Sequence, residues 1–148
     1  MNLSGWLSSA LALMLLPAGP VVAPTRVVPN ENRVPAGRPA AGVLTPRLDV
    51  RLGEWFPQDS AGPRVTRPVF AEEGKAPEIP GPFVRVPVGT MLDITVTNQL
   101  ADTGVTIFGL AERPAMGADS VRLAPGESHR FRFRASAAGT YQYAGRTE

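Results

Sequence analysis

Metal, nucleophilic and redox chemistry draw on a short list of side chains, and this chain holds few of them. It has no cysteine and one histidine, His129. Without thiols there is no disulfide framework, thiolate metal site, cysteine nucleophile or iron–sulfur cluster. One imidazole cannot build a His-rich zinc or copper site, and no Ser/His/Asp assignment is persuasive around it. His129 shares strand parity with Phe131 and Phe133, which predicts an inward-pointing, hydrogen-bonded structural residue rather than a ligand. Met116, in the loop RPAMGAD, reads as gap-filling rather than as a soft ligand. Glu72 and Glu73 are adjacent, so in an extended chain they point to opposite faces and make a poor acid/base pair. There is no nucleophile elbow and no Walker-type loop.

The elements that would position such residues divide the chain of 148 residues in three. Residues 1–23 contain the apolar run WLSSALALMLLPAGPVVAP, with small residues at Val21 and Ala23 that suit a signal-peptidase site. Ser8, Ser9, Pro17 and Pro20 interrupt it, which argues against a membrane span of about 20 apolar residues. The expectation is export to a periplasmic or extracellular compartment, with the run read as a signal peptide or membrane-proximal segment. Residues 24–45 are Pro-rich without a hydrophobic period and read as an extended linker with little to bury. The net charge is +2, and the excess lies in this N-terminal third: residues 46–148 carry 12 basic and 12 acidic groups. No basic stripe interleaved with aromatics is present, so a nucleic-acid partner is excluded.

From Pro46 the pattern turns to period two. Leu48, Val50 and Leu52 alternate with Arg47, Asp49 and Arg51; Leu92, Ile94 and Val96 share a face; Phe131 and Phe133 oppose Arg130, Arg132 and Arg134. Tyr141 and Tyr143 continue the pattern, and RVTRPVF, PFVRVP, VTIFGL and DSVRL are shorter candidate strands. Trp55 and Phe56 close the first strand and read as core packing. Turn signals separate the runs at Gly81-Pro82, Pro87-Val88-Gly89, Asp102-Thr103-Gly104, Ala124-Pro125-Gly126 and Ala138-Gly139. Seven or eight short, half-buried strands predict an all-β antiparallel sandwich over residues 46–148.

The order of motifs from about Pro80 onward resembles the N-terminal cupredoxin (plastocyanin-like) domain of multicopper oxidases. The residues that carry it are IPGPFVRVPVGTMLDITVTNQL, VTIFGL, LAPGESHRFRFRA and AGTYQYAGR, roughly 70 residues in the family's order. They include Pro80-Gly81-Pro82, Gly89, Asn98-Gln99-Leu100, Pro125-Gly126-Glu127 and Gly139-Thr140-Tyr141. The resemblance implies a Greek-key β-sandwich. In the family, a His-Trp-His-Gly segment and a Tyr-His-x-His segment donate four histidines to a trinuclear copper cluster. Anchored on Gly109, the first two positions here are Thr106 and Phe108; anchored on Tyr143, the second two are Ala144 and Arg146. None offers an imidazole, so the resemblance implies no catalytic, cofactor-binding or metal-binding residue in this chain.

The family's topology places one more strand after Tyr141 and Tyr143. A chain ending at Glu148 therefore predicts a sandwich lacking its last strand, with an open sheet edge and a tendency to oligomerise. The expected function is a structural one, in a metal-free domain of a multicopper-oxidase-type protein. Further cupredoxin domains of the same or another chain would be the partners and would carry the copper for oxidation of a donor coupled to O2 reduction. The alternative is a free-standing exported binding or assembly module without redox activity.

Overall fold

The computed structural model describes residues 23–113 and 119–148. The apolar run up to residue 22 and Met116 lie outside them. All regular structure among the described residues is β: β1 (Thr25–Arg26), β2 (Val28–Pro29), β3 (Val43–Leu44), β4 (Arg47–Trp55), β5 (Val65–Glu72), β6 (Glu78–Ile79), β7 (Met91–Asn98), β8 (Val105–Phe108), β9 (Val121–Leu123), β10 (Ser128–Arg134) and β11 (Ala144–Thr147). The larger sheet runs β5, β4, β7, β10; the smaller runs β11, β8, β9; β2 and β6 form a two-stranded ribbon.

β7 organises the larger sheet. It pairs antiparallel with β10 on one side and parallel with β3 and then β4 on the other. Val43 sits opposite Met91 and Arg47 opposite Thr95, so β3 and β4 follow one register interrupted at Thr45-Pro46. Pro46 has no N–H to donate, but its carbonyl accepts from the Thr95 N–H at 3.1 Å, which keeps the two pieces aligned. Leu44, Leu48, Val50, Leu92, Ile94, Val96 and Phe131 of this sheet form one core with Val105, Ile107 and Leu123 of the smaller sheet. Each such aliphatic side chain contributes roughly 1.5–3 kcal/mol by leaving water. The two-layer, all-β sandwich is the architecture that the period-two runs predict, but the larger sheet is mixed rather than antiparallel, because β1, β3 and β4 pair parallel to their neighbours.

Several local expectations are corrected. The Pro-rich segment is not a spacer: Val27, Ala36 and Leu44 are buried, and β1 and β3 pair into the larger sheet. Proline confines its φ angles, but three short pieces still find edges that lack partners. Leu52 is 36% exposed although its parity matches Leu48 and Val50. The reason is a change of neighbour. β4 leaves β7 at Val50 and takes up β1 at Gly53–Glu54. A Cβ on Gly53 would lie 2.6 Å from methyl groups of both Val27 and Val69, so glycine is what admits the N-terminal strand here. Trp55 and Phe56 are half-buried rings covered by arginine, with the Arg67 guanidinium 5.2 Å and the Arg26 guanidinium 4.7 Å from the ring centres. Residues 82–87 and 141–143 are extended without ladder partners, so neither PFVRVP nor the two-tyrosine run is a strand. His129 is exposed, not inward, and stacks edge-on against Phe131 at 4.7 Å.

Candidate functional site

The smaller sheet is held in place by the motif residues. Asn98, at the end of β7, is fully buried, and its amide reaches three ways: Nδ2 donates to the carbonyls of Thr103 (2.9 Å) and Leu123 (3.1 Å), while Oδ1 accepts from the Leu100 N–H (3.0 Å). Its backbone adds two bonds, N–H to the Glu127 carbonyl and carbonyl from the Gly126 N–H, both at 2.8 Å. One residue thus ties the end of β7 to β9 and to the turn before β8 through its side chain, and to the turn before β10 through its backbone. That is the work of the Asn-Gln-Leu and Pro-Gly-Glu motifs, since an apolar residue at 98 would leave several buried backbone groups without partners. Gly126 turns the chain at φ +78°, and the Glu127 carboxylate caps the turn by accepting from the Ala124 N–H at 2.8 Å.

Two further anchors fix β8 against β11. Gly109 has φ +81°, and a Cβ there would lie 2.2 Å from the Gln142 carbonyl oxygen and 2.9 Å from the Tyr143 Cα. Only glycine lets the backbone after β8 pass so close to the chain entering β11. The Tyr143 hydroxyl donates to the Pro82 carbonyl at 2.7 Å, and its ring meets Phe70 edge-on at 5.0 Å. Burial, and secondarily Glu78, push the Tyr143 phenol above its ordinary value of 10.0, so it stays a donor. The Pro-Gly-Pro stretch is therefore a docking point for Tyr143, with the Asn30 amide donating to the Gly81 carbonyl at 3.1 Å from the other side.

Between these anchors the four residues that the motif resemblance sets against the family's copper ligands come together. In the β8–β11 ladder Thr106 pairs directly with Arg146, and Phe108 with Ala144. Their strand neighbours Val105 and Ile107 are buried in the core, so the four share the opposite face of the small sheet. The register extends the row: Arg122 of β9 lies opposite Thr106 on its other side. Arg122 holds Glu148 in a two-point ion pair, Nε to Oε1 at 2.5 Å and Nη2 to Oε2 at 2.6 Å. That hydrogen bonding keeps the Glu148 carboxyl below its ordinary value of 4.5 and pushes the Arg122 guanidinium up. The Arg146 guanidinium lies 5.5 Å from the centre of the Phe108 ring.

This donor set does not fit copper in the family's manner. Copper sites of that kind are built from imidazole nitrogens. Here the positions hold one hydroxyl, one hydrocarbon ring, one methyl group and one cation. His129 stands on β10, in the larger sheet, opposite Val96. Sequence spacing alone places the four positions by motif. It does not reveal that they are two cross-strand pairs or that Arg122 and Glu148 share their face. The signal for Arg122 is the alternation of DSVRL, which puts it opposite in phase to Leu123, and Glu148 has none.

The model of the multicopper oxidase family matches residues 65–148, more than half of the chain. L-Ascorbate oxidase of Cucumis sativus is 36% identical over 76 residues, which cover 46% of this chain and 13% of that protein. A solved multicopper oxidase from Campylobacter jejuni, described as a metallo-oxidase, superposes with a TM-score of 0.51 at 20% identity, over 87% of this chain and 26% of that one. The chain thus spans about an eighth of the curated relative and about a quarter of the solved one. With the family model matching more than half of its length, this chain belongs to the multicopper oxidase family, and its folded body is a cupredoxin-like β-sandwich domain.

Proposed function

We propose that this domain is a metal-free N-terminal domain of a multicopper-oxidase-type protein and that its role is structural. The supporting observation is the chemistry of Thr106, Phe108, Ala144 and Arg146, which meet on one face of the small sheet without an imidazole among them. Copper would then reside in further cupredoxin domains, of the same or another chain. There it would serve one-electron oxidation of a donor coupled to reduction of O2. The apolar run of residues 1–23 supports export to the periplasm or the extracellular space.

Metal analysis of the purified chain after incubation with Cu(I) and with Cu(II) tests the metal-free reading. The expected result is no stoichiometric copper, while the variant Thr106→His/Phe108→His/Ala144→His/Arg146→His, with four imidazoles on one face, gains copper affinity. One copper per unmodified chain would overturn the reading. Sequencing the coding frame past residue 148 tests the parent enzyme. Continuation with His-x-His and His-Cys-His segments supports it, and a stop codon directly after Glu148 counts against it.

A further inference from the structure

Residues 77–83 read Pro-Glu-Ile-Pro-Gly-Pro-Phe, and Pro77, Pro80 and Pro82 bring no N–H. A backbone so short of donors is fixed chiefly through its carbonyls. In an extended chain successive carbonyls point to opposite sides, and here the two sides have different partners. On one side the carbonyls of Pro77, Ile79, Gly81 and Phe83 all accept from an N-terminal strap, residues 25–36. The donors are the Val28 N–H at 2.9 Å, the Asn30 N–H at 2.9 Å, the Asn30 Nδ2 at 3.1 Å and the Ala36 N–H at 2.7 Å. On the other side the Pro82 carbonyl accepts from the Tyr143 hydroxyl at 2.7 Å. The seat of Tyr143 is therefore gripped from behind by the strap, whose Val27 and Ala36 are buried. Asn30 is the centre of the grip. Its Nδ2 also donates to the Glu78 carboxylate at 3.0 Å, and that same charge is felt by the Tyr143 phenol. Tyr143 directly precedes β11, which among the described residues has only β8 as a ladder partner.

We propose that the N-terminal strap is a clamp on β11. It holds residues 77–83 as the seat of Tyr143, and through that seat it fixes the β8–β11 ladder. Displacing the strap loosens β11 while the β7–β10 ladder stays closed. The two ends of the chain are thereby coupled through one proline-rich segment, and the outer-face residues Ala144 and Arg146 move with the strand that the strap holds. The clamp is independent of the metal-free reading, because it is read from amide exchange and not from copper.

Backbone hydrogen exchange is followed by NMR in the full chain and in Asn30→Ala, Tyr143→Phe and the double variant. Asn30→Ala is expected to speed exchange across the β8–β11 ladder about tenfold, since two bonds to the seat are lost, and to leave the β7–β10 ladder unchanged. Tyr143→Phe acts from the other side of the seat and speeds the same amides several-fold. With the seat already loose, the double variant falls well short of the product of the two single effects. Asn30→Asp keeps the size of the side chain and the oxygen that accepts from the Asn32 N–H at 2.8 Å, but it loses the donor, so it matches Asn30→Ala. Unchanged β8–β11 exchange in Asn30→Ala, or equal acceleration of both ladders, would overturn the clamp. So would parent-like exchange in Asn30→Asp, or a double variant equal to the product of the singles.

Discussion

The two faces of β8 do different work. On the inner face Val105 and Ile107 are 1% and 0% exposed and close the core against the larger sheet. On the outer face Thr106 and Phe108, which the motif resemblance sets against copper ligands, pair with Arg146 and Ala144. The two sets alternate along four residues, so one backbone serves both. Because strand side chains alternate strictly, a change of every outer residue leaves the inner packing untouched. Fold and chemistry are therefore separable here residue by residue. The inner face carries the packing, while the outer face carries an arginine on an aromatic ring and an ion pair.

The sharpest way to break that separation is at Gly109, where the outer strand must pass the entry to β11. Gly109→Ala forces a Cβ to within 2.2 Å of the Gln142 carbonyl in a left-handed conformation. We expect a loss of at least about 3 kcal/mol, with β11 detached from β8, measured as the urea midpoint at constant slope. The comparison of faces comes next. Ile107→Ala empties a fully buried site and costs about 2–5 kcal/mol. Thr106→Ala, one residue earlier on the outer face, changes stability by no more than about 0.5 kcal/mol. Equal losses in the two variants would show that the outer face is as structural as the inner one.

Much of this was legible in the sequence where a side chain's job is local. Leu48, Val50, Leu92, Ile94 and Val96 declare their face by alternation, and all five are buried. Gly126 and Gly89 declare turns, and both have positive φ, +78° and +92°. The motif order singled out Thr106, Phe108, Ala144 and Arg146, and the ladder puts them in two cross-strand pairs. What stayed illegible depends on partners far along the chain. Alternation in PFVRVP and around Tyr141 and Tyr143 is the same as in a true strand, but those segments have no ladder partner. Tyr143 instead spends its hydroxyl on Pro82, 61 residues away. The N-terminal segment looks like a spacer because its short apolar groups, Val27 and Leu44, are separated by prolines. The slot that takes Val27 exists only because Gly53 leaves room for it. His129 shares its parity with Phe131, yet it lies near the start of β10, where the core no longer covers it.

The smallest expected effects lie in charge, and they sharpen the comparison because inner-face packing has no titratable part. On the outward side of the larger sheet Arg130 holds Asp93 with both oxygens, and this hydrogen bonding keeps the Asp93 carboxyl below its ordinary value of 3.8. A depressed folded-state value means stability present above 3.8 and lost as the pH falls through the lower folded value. Glu148, paired with Arg122, follows the same sign from its ordinary value of 4.5 downward. Asp49 is the opposite case. Its carboxyl is 4% exposed as a residue, and burial raises it above 3.8 despite the attraction of Arg51. Its ionised form opposes folding at neutral pH, and that opposition is relieved as the pH falls through the raised value. Acidification from pH 7 should thus first relieve Asp49 and then, below the ordinary carboxylate values, release Glu148 and Asp93. Urea midpoints measured across that range should show a shallower acid decline in Asp93→Asn than in the parent chain. Asp49→Asn should lose the earlier gain, and Ile107→Ala should run parallel to the parent at every pH. An Asp93→Asn profile that parallels the parent would remove the Arg130 pair from the account of stability. The pH dependence of the outer surfaces would then rest on Glu148 and Asp49.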